Sequence, residues 1–65
     1  MNIILNGTPM HTTCQTLLEL LDSQGLTTGR FAVEVDGILI PKTRLTDTII
    51  TDGMRVEVVQ AVGGG

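Results

Sequence analysis

The C-terminal residues are the part of this sequence whose type and position could do chemistry. The chain ends Val62-Gly63-Gly64-Gly65, and at an average Gly content of about 7%, three terminal Gly arise by chance in roughly three chains in ten thousand. A terminal carboxylate becomes a good electrophile once ATP has adenylated it, because a sulfur or nitrogen nucleophile can then displace AMP. Glycine has no Cβ and fits a narrow channel. The carboxylate of Gly65 is therefore the predicted reacting group, and the alternative is a frayed end without a role.

The size of the chain means that another protein must supply the active site. With 65 residues, 42% of them apolar, there is room for one domain over residues 1–65 and for one small core. Residues 61–65 are expected to form a flexible tail. We find no phosphate-binding loop and no plausible metal cluster in the sequence. The prediction is that no cofactor or metal is bound, and that a partner uses the ATP while the tail enters the partner's active site.

Charge and cysteine content exclude several classes of function. Four Lys and Arg against seven Asp and Glu give a net charge of −3, which disfavours nucleic-acid binding because affinity for phosphates comes mostly from basic residues. Phe31 is the single aromatic residue, so base stacking is not expected either. The single Cys14 cannot form an internal disulfide, which favours a reducing compartment. The apolar runs are too short to span a membrane and no secretory signal is found, so we expect a cytoplasmic protein.

Short alternating apolar runs and turn signals predict five strands. The strands are expected at residues 2–6, 8–13, 31–36, 38–40 and 54–62. Asn6-Gly7 and Asp36-Gly37 are two-residue hairpin signals, because both central positions of a type I′ turn need positive φ. Pro9 lacks an amide donor and marks its strand as an edge.

One helix is predicted over residues 17–24, between the second and third strands. Thr16 and Glu19 have the spacing of a capping box, Gly25 suits a left-handed cap, and Thr12 with Gln15 is a weaker alternative start. A helix packed on one face of a mostly antiparallel, mixed sheet of four to five strands is the simplest α+β arrangement. The first and last strands are the most apolar and are placed side by side at the centre. In the segment 42–51 the predicted core anchors are Leu45, Ile49 and Ile50.

This order of elements, together with the terminal glycines, resembles the ubiquitin-like β-grasp sulfur carriers, and among them the thiamine-biosynthesis carriers (ThiS family). The resemblance covers the whole chain and is most specific at the tail. It rests on Asn6-Gly7, residues 16–21, residues 33–37, Ile40-Pro41, Asp52-Gly53 and residues 62–65. The family often has Arg after the Pro, whereas here Lys42 follows Pro41 and Arg44 comes two residues later.

The resemblance implies a role as a protein co-substrate and not as an enzyme. An E1-like adenylyltransferase would adenylate Gly65, and a sulfur donor system would convert the adenylate to a thiocarboxylate. Thiazole synthase would then receive the sulfur, while Gly63 and Gly64 thread the partner's channel. The alternatives are a sulfur carrier for molybdopterin or another pathway, and a ubiquitin-like docking module with an incidental Gly tail.

Two further sets of residues have competing interpretations. Leu39, Val59 and Val62 form a partner-docking patch if they face the side of the sheet without a helix, and core if they face the helix. Cys14 is favoured as a small apolar residue at the junction between strand and helix, because free Cys is commonly buried. Cys14 with His11 could act as a catalytic pair, but no third orienting group or substrate pocket is evident.

Overall fold

The chain folds as a sheet with one helix packed across it. The computed structural model describes residues 1–61. Their elements are β1 Asn2–Leu5, β2 Thr8–His11, α1 Leu17–Ser23, β3 Phe31–Val35, β4 Ile38–Ile40, a 3₁₀ turn at Lys42–Arg44, and β5 Arg55–Gln60. Within this part of the chain, no helix is long and apolar enough to cross a membrane.

The sheet has the strand order β2-β1-β5-β3-β4. β1 and β5 are neighbours, as predicted from their apolar content. They run parallel, whereas the other three pairs are antiparallel. β2, which contains Pro9, is an edge strand as predicted. The sequence order and the spatial order therefore differ at one place, where the last strand lies between the first and the third.

Two tight turns make the hairpins β1–β2 and β3–β4. Asn6 and Gly7 have φ of 49° and 80°, and Asp36 and Gly37 have φ of 50° and 84°. Positive φ at both central positions is the geometry that the Asn-Gly and Asp-Gly signals predicted. Each turn joins strands whose pairing begins directly beside it.

The turn before β5 ties the start of β1 to the start of β5. The Met54 N–H donates to the Thr51 carbonyl at 3.1 Å across Asp52 and Gly53. The Gly53 N–H donates to the Asn2 carbonyl at 2.7 Å, and the Asn2 N–H donates to Asp52 Oδ1 at 2.7 Å. These bonds bring together two strands that are more than 50 residues apart, at the end of the sheet where both begin.

The helix begins at the predicted capping box. Thr16 Oγ1 accepts from the Glu19 N–H at 3.2 Å, and Glu19 Oε1 accepts from the Thr16 N–H at 3.2 Å. The helix ends at Ser23, one residue earlier than predicted, because Gln24 is already the cap and Gly25 follows with φ of 70°. The alternative start at Thr12 is wrong.

Three leucines of the helix fill the core between helix and sheet. Leu17, Leu20 and Leu21 are completely buried. They pack in one cluster with buried residues of the sheet and of the segment before β5, namely Ile3, Leu5, Val33, Leu45, Ile50, Met54 and Val56. This packing uses one face of the sheet and leaves the other uncovered.

Further predicted details are wrong. β1, β3 and β5 are each shorter than predicted, since they span Asn2–Leu5, Phe31–Val35 and Arg55–Gln60. The second strand ends at His11 and not at residue 13, because Thr12 Oγ1 accepts from the Cys14 N–H at 3.0 Å and so turns the backbone toward the helix. Ile49 is 59% exposed while Leu45 and Ile50 are buried. Neighbouring residues of an extended segment face opposite sides, so Ile49 and Ile50 cannot both enter the core.

Candidate functional site

The face of the sheet without the helix carries two exposed, large apolar side chains. We call this face the open face. Leu39 is 63% exposed and Val59 is 65% exposed. Leu39 lies opposite Glu34 in the β3–β4 pair, and Val59 lies opposite Ala32 in the β3–β5 pair. Residues opposite each other in a sheet share a face, as do residues two apart along a strand, so both apolar side chains are on the same side of β3.

The structure thus answers half of the question that the sequence left open. Leu39 and Val59 are exposed on the open face and are not core residues. Val62, the third member of the predicted docking patch, lies outside the described residues. That the open face binds a partner stays a prediction.

An acidic pair lies between these two apolar side chains. Glu34 and Glu57 are exposed and directly opposite each other on β3 and β5. Side chains in such positions have Cβ atoms about 4.5–5.5 Å apart, and like charges there repel each other. This pair is a feature of the open face that the sequence reading did not single out, although the alternation of β3 and β5 places both residues on the polar side.

The base of the tail is held at the end of β5. Gln60 lies opposite Phe31, and the next residue, Ala61, donates its N–H to the Arg30 carbonyl at 3.0 Å. The Gln60 side-chain amide donates to the Leu26 carbonyl at 3.4 Å. Gly63, Gly64 and Gly65, the predicted threading and attachment residues, lie outside the described residues. What the structure places is the point on the domain from which they continue.

A basic side chain stands beside this point. Lys42 Nζ lies 4.2 Å from the centroid of the Phe31 ring, which is a cation–π distance. Because Phe31 is opposite Gln60, Lys42 is at the tail end of the sheet. Lys42 is exposed, as is Arg44 two residues later.

Cys14 and His11 are at the other end of the molecule. Both line an open depression of about 510 Å³, together with Met1 and Ile49. His11 Nε2 is 3.1 Å from the N-terminal nitrogen of Met1, so the ring engages a group other than the thiol, which is partly buried. The parallel pairing of β1 with β5 puts this depression near the start of β5, while the tail leaves from its end. Among residues 1–61, no group of three or more metal-ligating side chains is present.

The comparisons with known proteins cover the whole domain. The family model of the ThiS family matches residues 3–65. A protein of Pyropia yezoensis, called uncharacterized protein ycf40, is 35% identical over an alignment that covers 98% of this chain and 92% of that protein. The crystal structure of the thiamine biosynthesis protein ThiS from Geobacter metallireducens has a TM-score of 0.83 at 28% identity and covers 100% of both chains. The NMR structure of a thiamine biosynthesis protein from the same organism has a TM-score of 0.80 at 28% identity, over 100% of this chain and 88% of that one. This likeness confirms the predicted β-grasp fold of the α+β class.

Proposed function

Because the chain belongs to the ThiS family, we propose that it is a sulfur carrier for the biosynthesis of the thiazole ring of thiamine. The observation that carries the proposal is the family match over residues 3–65, which includes the three terminal glycines. The likeness to a ThiS protein named for thiamine biosynthesis, at 28% identity over the full length of both chains, supports the choice of pathway.

The proposed chemistry takes place on the carboxylate of Gly65. A carboxylate oxygen attacks the α-phosphorus of ATP in an E1-like adenylyltransferase, and pyrophosphate leaves. A sulfur nucleophile from a sulfur donor system then attacks the carbonyl carbon, and AMP leaves with the oxygen that it had bound. If the nucleophile is sulfide, the thiocarboxylate forms directly. If it is the outer sulfur of a persulfide, an acyl disulfide forms, and a thiol then reduces its S–S bond, takes the donor's sulfur into a disulfide and releases the thiocarboxylate. The sulfur of the thiocarboxylate passes to thiazole synthase. The chain is a protein co-substrate in these steps, and we place them in the cytoplasm.

The open face and the start of the tail both involve β5. β5 is the third of five strands in the sheet, and it leads directly into the tail. The open face belongs partly to the same strand, through Val59 and Glu57. A partner that covers the apolar side chains of the open face is therefore close to the exit of the tail. We propose that Leu39 and Val59, with Val62, form the docking patch, and that Gly63 and Gly64 pass through the partner's channel.

The Cys-dependent alternative is disfavoured by position. Cys14 and His11 are at the end of the sheet opposite the tail, and His11 Nε2 points to the N-terminal nitrogen.

Intact-protein mass spectrometry tests the proposal directly. The purified chain is incubated with ATP, an activating enzyme of the family and a sulfur source. The expected result is a gain in mass equal to sulfur minus oxygen in the wild type and in a Cys14→Ser variant, and no gain when Gly64 and Gly65 are both deleted.

The control is a second carrier on which the same activating enzyme is active. If that carrier gains sulfur and this chain does not, the sulfur-carrier function is wrong and a docking module is the better description. Adding thiazole synthase with its other substrates then tests the pathway, since loss of the added sulfur identifies the acceptor.

A further inference from the structure

We propose that residues 26–30 clamp the base of the tail, and that Gln60 is a positioning residue for the reaction at Gly65. The name tail clamp is used below for residues 26–30 with their bonds to Gln60 and Ala61. The inference rests on the proposed function for its role, but the clamp itself is a physical structure that can be tested independently of any sulfur chemistry.

Two hydrogen bonds to different parts of residues 26–30 hold the end of β5. The Ala61 N–H donates to the Arg30 carbonyl at 3.0 Å, one residue beyond the last register pair of β3 and β5. The Gln60 side-chain amide donates to the Leu26 carbonyl at 3.4 Å, and that bond is partly buried. One bond holds the backbone after Gln60, and the other holds the Gln60 side chain, so the end of β5 is attached to residues 26–30 at two points.

The tail clamp is itself held firmly at its start. The Leu26 N–H donates to the Leu21 carbonyl at 2.9 Å, and Leu21 is fully buried in the core. Leu26 packs against that core, so its carbonyl is a fixed acceptor. At the other end, Arg30 directly precedes β3. The segment therefore bridges the end of the helix and the start of β3, and Gln60 is tied to the helix side of this bridge.

The clamp sets how far Gly65 can reach. Four residues follow Ala61 in the sequence, and four residues span at most roughly 13–14 Å. If Ala61 is held at the domain, the reacting centre of the partner must lie within that distance of Ala61. If the clamp opens, Gln60 and Ala61 can add roughly 7 Å to the reach, but the direction of the tail is then no longer determined. Reactions that depend on exact placement are sensitive to such a loss, because about 1 Å of misplacement can lower a rate by about 100-fold.

A double variant removes both bonds with little change in shape. Ala61→Pro lacks the N–H, and the extended conformation of Gln60 is compatible with a following Pro. Gln60→Met has a similar length and no strong donor. We expect the kcat of sulfur loading to fall about ten-fold in the double variant. The KM of the activating enzyme for the carrier should stay within two-fold of the wild-type value. Ala61→Ser, which keeps the N–H, is the matched control and should load like the wild type.

Shortening the tail separates positioning from a general structural effect. Deleting one of the three terminal glycines leaves a chain that ends Val62-Gly-Gly and shortens the reach by roughly 3.5 Å. This deletion should strongly lower loading in the otherwise wild-type chain. In the double variant the same deletion should lower loading much less, because Gln60 and Ala61 are released from the clamp and add length to the tail. If the deletion lowers loading by the same factor in both backgrounds, or if the double variant loads at the wild-type kcat, the tail clamp does not position the tail.

Amide hydrogen exchange tests the clamp without any partner. The Ala61 N–H should exchange more slowly than an unprotected amide in the wild type, and faster in Gln60→Met, while the amides of the β3–β5 ladder keep their protection. Unprotected exchange at Ala61 in the wild type would overturn the clamp even if sulfur loading is observed. Protected exchange without sulfur loading would leave the clamp standing and refute the proposed function instead.

Discussion

Replacing Leu39 and Val59 together by Ala tests whether the open face binds the activating enzyme. A buried methylene contributes about 0.8 kcal/mol. Leu→Ala removes three carbons and Val→Ala removes two. Only the exposed fractions of these residues, 63% and 65%, can be newly buried when a partner docks. The loss is about 1.5 kcal/mol for Leu39 and about 1 kcal/mol for Val59 if docking buries both completely. The sum of about 2.5 kcal/mol corresponds to about 60-fold in affinity.

The assay is the initial rate of thiocarboxylate formation, measured by intact mass against the concentration of the carrier. If the docking contacts stabilise the ground state and the transition state equally, their loss raises KM and leaves kcat unchanged. We therefore expect KM to rise up to about 60-fold in the double variant. The free energy of unfolding should change by less than about 1 kcal/mol, because substitutions of exposed side chains have small effects on stability.

Ile38→Ala is the matched control in the neighbouring position. Ile38 is 67% exposed, but it lies opposite Val35 and therefore on the helix side of the sheet, whereas Leu39 is on the open face. Its KM should stay within two-fold of the wild type. The reasoning is refuted if Ile38→Ala raises KM as much as the double variant does, or if the double variant loads with wild-type KM.

Three further predictions concern stability and the thiol. Thr16→Ala removes the acceptor for the Glu19 N–H and should lower the free energy of unfolding by about 1 kcal/mol, measured by denaturant titration; an unchanged midpoint would mean that the capping box contributes nothing. Glu57→Gln should raise the free energy of unfolding by about 0.5 kcal/mol or less, because it relieves the repulsion with Glu34. That gain should shrink in 1 M salt, and a gain that is independent of salt would point to a cause other than charge. Cys14→Ser should leave kcat and KM of sulfur loading unchanged, and a loss of loading with an intact fold would revive a role for the thiol.

Local rules predicted the parts of the fold that depend on neighbouring residues. The Asn6-Gly7 and Asp36-Gly37 turns depend on two residues each, and the capping box on four, so the sequence contains everything that determines them. The placement of β1 beside β5 in the interior of the sheet followed from a global argument, since the most apolar strands are expected there. The parallel direction of this pair was not predicted.

The rest depends on contacts between distant residues. In β4 all three residues are apolar, so no alternation indicates which one faces the helix, and only the pairing of Leu39 with Glu34 decides it. The hydrogen bond between Gln60 and Leu26 joins residues 34 positions apart. Leu26 lies between the helix and β3, where the sequence has no regular pattern. The terminal glycines were conspicuous by composition alone, whereas the way in which the domain holds the base of the tail was not.

The central position of the last strand affects how this protein is made. Translation proceeds from the N-terminal side, and among the described strands the one that lies between β1 and β3 is synthesised last. A nascent chain that stops before residue 55 has β1 and β3 hairpins with no strand to join them, and two apolar edges are left open. The sheet can form in full only after β5 has been synthesised. A product truncated before residue 55 lacks the strand that pairs with both β1 and β3, so we expect it not to fold.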